Sequence, residues 1–157
     1  MIIRSYSELP GLYAHPEGTM QVYGADPDTR KITLHSVSHI MKVSAKVFML
    51  RAGPTRCPIS SYSGFITCKI SIPFAEVDSA ALSVLGLKDL KLRQRIAVAP
   101  DALVPSVDEQ VRISRGHIIS WFEVLSLRET RDTDYYFPHL VSGNMFIVNN
   151  LLHVSPL

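Results

Sequence analysis

The feature that most constrains this chain is a period of two in its apolar residues. Ile66, Cys68, Ile70 and Ile72 alternate with Thr67, Lys69 and Ser71, and an extended strand sends successive side chains to opposite faces. The same period runs through Met41, Val43, Ala45, Val47 and Met49 against Lys42, Ser44 and Lys46. Phe48 and Leu50 interrupt the polar side, which predicts cover on both faces at that end. Between these strands, residues 51–64 carry Gly53, Pro54, Pro58, Ser60, Ser61 and Ser63. That composition predicts a surface loop, with Cys57 inside it. Cys68 falls on the apolar face of its strand and reads as an inert structural thiol.

Further along, Val111 and Ile113, then Ile119, Trp121, Leu125 and Leu127, predict a strand pair across an Arg115-Gly116 turn. Leu140-Val141 precedes the turn residues Ser142-Gly143-Asn144. Met145 to Val148 follows as a strand, and Asn149-Asn150 supplies a second turn, since Asn tolerates the left-handed conformation. Leu151-Leu152 returns as a last short strand. One helix is expected near 78–86, capped by Asp78, with Ala81, Leu82 and Leu85 on one face and Gly86 at its end. A further helical turn is expected within 88–95. The expected class is therefore mainly β: a compact single domain over 1–157, built of many short antiparallel strands and one short helix.

Composition removes several functions. With 46% apolar and 19% charged residues, the chain is no disordered tail. A formal charge of +2 gives no argument for a polyanion partner. The basic run from Lys88 to Arg95 has no interleaved aromatic residue, so a nucleic-acid partner is not expected. Cys57 and Cys68 alone make neither a disulfide framework nor a structural zinc site. No apolar run approaches the roughly 20 residues of a membrane helix, and the first residues lack a signal-peptide core. A cytoplasmic, nuclear or virion setting is expected.

His35 and His39 share a face in either a helix or a strand, a spacing that a metal could use, but Ser36 stands where a helical zinc protease needs Glu and no third ligand is signposted. Nucleophile elbow, phosphate loop and dinucleotide fingerprint are all missing from the sequence. Asp132 and Asp134, beside Arg128 and Arg131, read as a solvated loop. No catalytic, cofactor-binding or metal-binding residue and no cofactor is assigned. Tyr13, Tyr62, Tyr135 and Tyr136 read as loop tyrosines of the kind that anchor interfaces. The main expectation is a non-catalytic structural or adaptor subunit of a larger assembly, such as a minor viral capsid protein, with other protein subunits as partners.

One resemblance points elsewhere. Val124-Leu125-Ser126, Tyr136-Phe137-Pro138 and Gly143-Asn144-Met145-Phe146-Ile147-Val148-Asn149 resemble the closing hairpin of the hedgehog/intein autoprocessing family. Ser36-Val37-Ser38-His39 is similar to that family's Ser/Thr-x-x-His motif. The resemblance implies a fold whose His helps turn a peptide bond into a thioester with an N-terminal Cys or Ser. Here Met1 opens the sequence, Cys57 and Cys68 both follow His39, and Asn149-Asn150 precede His153 rather than follow a His. These departures imply a degenerate member lacking the N-terminal nucleophile. The alternative function is autoprocessing or hydrolysis built on His39, with Cys57 or a serine brought near by the fold.

Overall fold

The computed structural model describes residues 1–26, 28–99 and 119–155. The expected strand pair at Val111, Ile113, Arg115 and Gly116 lies largely outside the described residues. Twelve strands are described: β1 (Ile2–Ile3), β2 (Met20–Ala25), β3 (Ile32–Ser44), β4 (Phe48–Ala52), β5 (Thr55–Ile59), β6 (Gly64–Cys68), β7 (Leu82–Gly86), β8 (Arg95–Val98), β9 (Ser120–Glu129), β10 (Asp134–Leu140), β11 (Met145–Val148) and β12 (Leu151–Val154). They form one sheet in the order β1-β2-β3-β10 and a second in the order β5-β4-β9-β8-β12-β6-β7, with β11 also on β12. Among the described residues, all pairings are antiparallel except β1 with β2. The mainly-β class expected from the period-two pattern is the class observed.

β11 ties the two sheets together. Phe146 and Val148 pack with Val22, Val37 and Ile40 of the first sheet. Ile147, pointing the other way, packs with Ile66, Ala97 and Leu152 of the second. A strand buried on both faces reads as a continuous apolar run, and Met145 to Val148 is one. The approach between β2 and β11 is close enough to require glycine: a Cβ on Gly24 would collide with the Met145 carbonyl and the His35 ring. The Asn149-Asn150 turn forms as expected, with φ of 53° and 60°, the left-handed pair that a two-residue hairpin needs.

The helix is displaced from its expected place. Asp78 does cap, its Oδ1 accepting from Ala80 N at 3.1 Å, but the capped segment is one 3₁₀ turn, Ser79–Ala81. Residues 82–86 pair with β6 instead. A helix this short has little stability of its own, so an open sheet edge outcompetes it. Residues 88–95 likewise hold only a 3₁₀ turn, Leu87–Asp89. Among the described residues the one α-helix, α1 (Leu9–Ala14), is near the start. A Ser5-x-x-Glu8 capping box leads into it, with Glu8 Oε2 accepting from the Arg4 and Ser5 amides at 2.9 Å each.

Three local expectations change for the same kind of reason. Residues 51–64 are not a surface loop: Gly53, at φ 54°, turns the chain into β5, and Cys57 is fully buried. Pro58 is tolerated there because β5 is a sheet edge. The 66–72 strand ends at Cys68, leaving Ile70 exposed. The 41–49 run is two strands, β3 and β4, broken where the Ala45 and Val47 amides donate to the Thr133 and Asp132 carbonyls. Of the four tyrosines, Tyr13 and Tyr62 are exposed, Tyr135 is buried in β10, and Tyr136 sits half-buried beside it. Among the described residues, no helix is long and apolar enough to cross a membrane.

Candidate functional site

The register between β3 and β10 slips by one residue. Val37 pairs with Leu140 and His39 pairs with His139, so Ser38 is the extra residue of a β-bulge. The burial pattern carries the same shift: Val37 and Ile40 are buried while Ser38 and His39 are both exposed. In a regular strand, neighbours 38 and 39 would leave on opposite faces. The bulge sends both outward. It also puts His39 out of phase with His35, so the shared face expected for that pair does not form. His35 lies instead against Thr33 Oγ1, at 3.1 Å.

The result is a compact polar cluster on the outer face of the first sheet. Ser38 Oγ lies 2.8 Å from His39 Nδ1 and 3.0 Å from His139 Nδ1. The two imidazoles stack at 4.9 Å with their planes 22° apart. Ser38 Oγ also donates to the His139 carbonyl at 3.1 Å. The other ring nitrogen of His39, Nε2, faces the Met41 thioether at 3.0 Å. A thioether only accepts. With the ring proton on Nε2, Nδ1 presents its lone pair to the serine. A serine hydroxyl against a basic imidazole nitrogen is the arrangement that activates an oxygen nucleophile.

A groove of about 200 Å³ opens beside the cluster, lined by His139, Leu140, Val141, Ser142, Gly143 and Ser155. Its far wall belongs to the segment just after β12, where the Ser155 amide donates to the Asn144 carbonyl at 2.8 Å. A second groove of about 210 Å³ lies on the other side of the same segment, between Ser61–Gly64 and Val84–Gly86. Beneath it Ser63 Oγ accepts from the Ser60 amide and donates to the Tyr135 hydroxyl, both at 3.0 Å.

Cys57 does not join His39. It lies in the core, with Sγ 3.7 Å from His153 Nε2. Burial pushes its thiol pKa up and holds the His153 imidazole down to about 4. A neutral thiol beside a neutral imidazole, both sealed from solvent, is a packing contact and no nucleophile. Of the alternatives open in the sequence, the hydroxyl beside His39 is thus a serine, and it is the adjacent Ser38. The sequence offers His39 as a candidate base and assigns no catalytic residue; the signal for the rest of the cluster is the three-residue step from Val37 to Ile40 where two was due.

The fold is the hedgehog/intein fold. A DnaB intein from Synechocystis sp. PCC 6803 superposes with a TM-score of 0.67 at 16% identity, over 94% of this chain and 85% of its own. The transcription factor IIB Mvu mini-intein gives 0.64 at 9% identity, over 95% and 86%. A bacterial intein-like domain from Clostridium thermocellum gives 0.55 at 8% identity, over 87% and 80%. No family model matches the sequence, and no curated protein matches it. The expectation of a non-catalytic structural or adaptor subunit, with a viral capsid as its setting, is overturned: these solved structures of like fold are inteins and an intein-like domain.

Proposed function

We propose that this chain is a self-processing domain of the intein type, acting on a peptide bond through Ser38 and His39. The observation that carries the reading is the bulge that sets Ser38 Oγ 2.8 Å from the basic Nδ1 of His39. The hydroxyl attacks the carbonyl carbon of a peptide laid in the groove beside His139, and its proton passes to His39 Nδ1. The C–N bond breaks, the amine leaves with a proton relayed from the imidazoles, and the acyl group stays on Ser38 as an ester. Water or a second nucleophile then releases the acyl group. The likeness in fold to inteins supports a peptide bond, rather than another acyl donor, as the substrate.

The test is to express the full chain between two reporter domains and follow intact mass with and without hydroxylamine, which cleaves esters. Time-dependent cleavage that hydroxylamine accelerates, and that Ser38→Ala and His39→Gln abolish, is expected. An unchanged mass in both conditions would overturn the reading.

A further inference from the structure

We propose that His39 and His139 form a cross-strand bis-imidazole site for a divalent transition-metal ion, with Cu²⁺ held most tightly. The two residues are direct partners in the antiparallel register of β3 and β10, which brings their Cβ atoms to about 4.5–5.5 Å. Their rings are already side by side, 4.9 Å apart, so little side-chain freedom remains to be lost on binding. Both Nδ1 atoms face a single point, the Ser38 hydroxyl, from 2.8 and 3.0 Å. Two ring nitrogens that converge on one oxygen can converge equally on an ion once both are deprotonated. Metal–imidazole bonds of about 2.0–2.1 Å need the two rings to close on that point by less than about 1 Å.

The surroundings also suit a metal. With its ring proton on Nε2, against the Met41 thioether at 3.0 Å, His39 keeps Nδ1 as the bare nitrogen, the task a neighbouring acceptor performs for a ligating imidazole. An ion at that point displaces the Ser38 hydroxyl, and the His139 carbonyl, 3.1 Å from it, stands by as an oxygen donor. Ser38 and His39 are exposed, so an ion can enter from solvent. No group of three or more His, Cys, Asp and Glu that could hold a metal is present among the described residues, so the protein supplies two nitrogens and water completes the shell. Two imidazoles with open positions suit copper above nickel or zinc in the usual order of affinities.

One consequence rests on the proposed function. An ion on both Nδ1 atoms occupies the base that Ser38 needs, so metal and processing exclude one another. The experiment is a Cu²⁺ titration of the full chain, followed by calorimetry and by electron paramagnetic resonance, with the processing assay run in parallel. Coupling of the copper to two imidazole nitrogens is expected. Roughly tenfold or greater weakening is expected in His39→Gln and in His139→Gln, with no change in His35→Gln. Circular dichroism confirms that these surface variants fold. Affinity unchanged in both the 39 and 139 variants would overturn the metal site, whatever the processing assay gives. Copper bound as expected by a chain that never processes would leave the site standing and remove the function proposed above.

Discussion

Val37 and Ile40 stand three residues apart on one strand, yet both side chains enter the same core. Only the extra residue at the bulge reconciles that spacing with a pleat of two. Removing Ser38 would leave Val37, His39 and Ile40 as in, out, in, with Val37 opposite Leu140 and His39 opposite His139 in an unbroken ladder. Deletion of Ser38 is therefore expected to fold, with stability within about 1 kcal/mol of wild type in urea unfolding. It is expected to lose all processing. A collapse of the fold would show that the bulge holds the sheet together rather than aiming a side chain.

The His153 ring lies 4.8 Å from the Phe146 ring and nearly parallel to it. Burial lowers its pKa from 6.5 to about 4, and the opposing hydrogen bond to the Val148 carbonyl is the lesser effect. Below pH 6.5 the unfolded chain takes up a proton that the folded chain refuses until about pH 4. The unfolded state binds more protons throughout that window, so stability falls as pH falls, by about 2–3 kcal/mol at pH 4.5. Urea unfolding at pH 7.5 and 4.5 measures it. His153→Leu is expected to lack this part of the slope, and parallel slopes in the two proteins would reassign it.

Cys57 is sealed while Cys68, at the end of β6, is only half-buried. With burial holding the Cys57 thiol well above the ordinary range, only Cys68 is expected to react with a disulfide reagent in the folded protein. The second thiol appears at the rate of unfolding. Two fast-reacting thiols in native conditions would contradict the buried position of β5.

The two turn asparagines share a backbone conformation and differ in their side chains. Asn149 Oδ1 accepts from the Tyr6 amide at 2.7 Å and its Nδ2 donates to the Arg56 carbonyl at 2.9 Å, tying the hairpin to two distant segments. Asn149→Gly keeps the left-handed turn and loses both ties, at an expected cost of about 1–3 kcal/mol. Asn150→Gly is expected to be neutral or slightly stabilising, because Asn-Gly is the favoured pair for this turn. Equal effects at 149 and 150 in thermal unfolding would rule out the tethering role.

Legibility followed the range of the interaction. The strands at 145–148 and 151–154 and the turn between them could be read, because pattern, turn chemistry and pairing all lie within ten residues. Cys57 was misplaced because the glycine and prolines around it resemble loop punctuation. It takes the pairing of Leu50 with Cys57 to make them a hairpin with an edge strand. Leu82 to Gly86 has a helical face in isolation, and the open side of β6 decides against it. Arg30 is buried, its guanidinium held by the Val77 carbonyl and the Ser79 hydroxyl, and nothing near it in sequence foretells that. His39 was visible as a candidate. Its partners were not, because His139 lies a hundred residues away and Ser38 belongs, by simple alternation, to the other face.

β12 is nearly the last stretch of the described chain and also an interior strand, paired with β6, β8 and β11. Emerging from a ribosome, the polypeptide has to hold β6 and β8 apart until residues 151–154 arrive to fill the gap. Contacts of such long sequence separation make assembly slow and late. A product cut short before that point retains eleven strands without the one that joins them, and would be left open to proteolysis. The topology thus leaves closure of the second sheet to the last of its strands in the sequence.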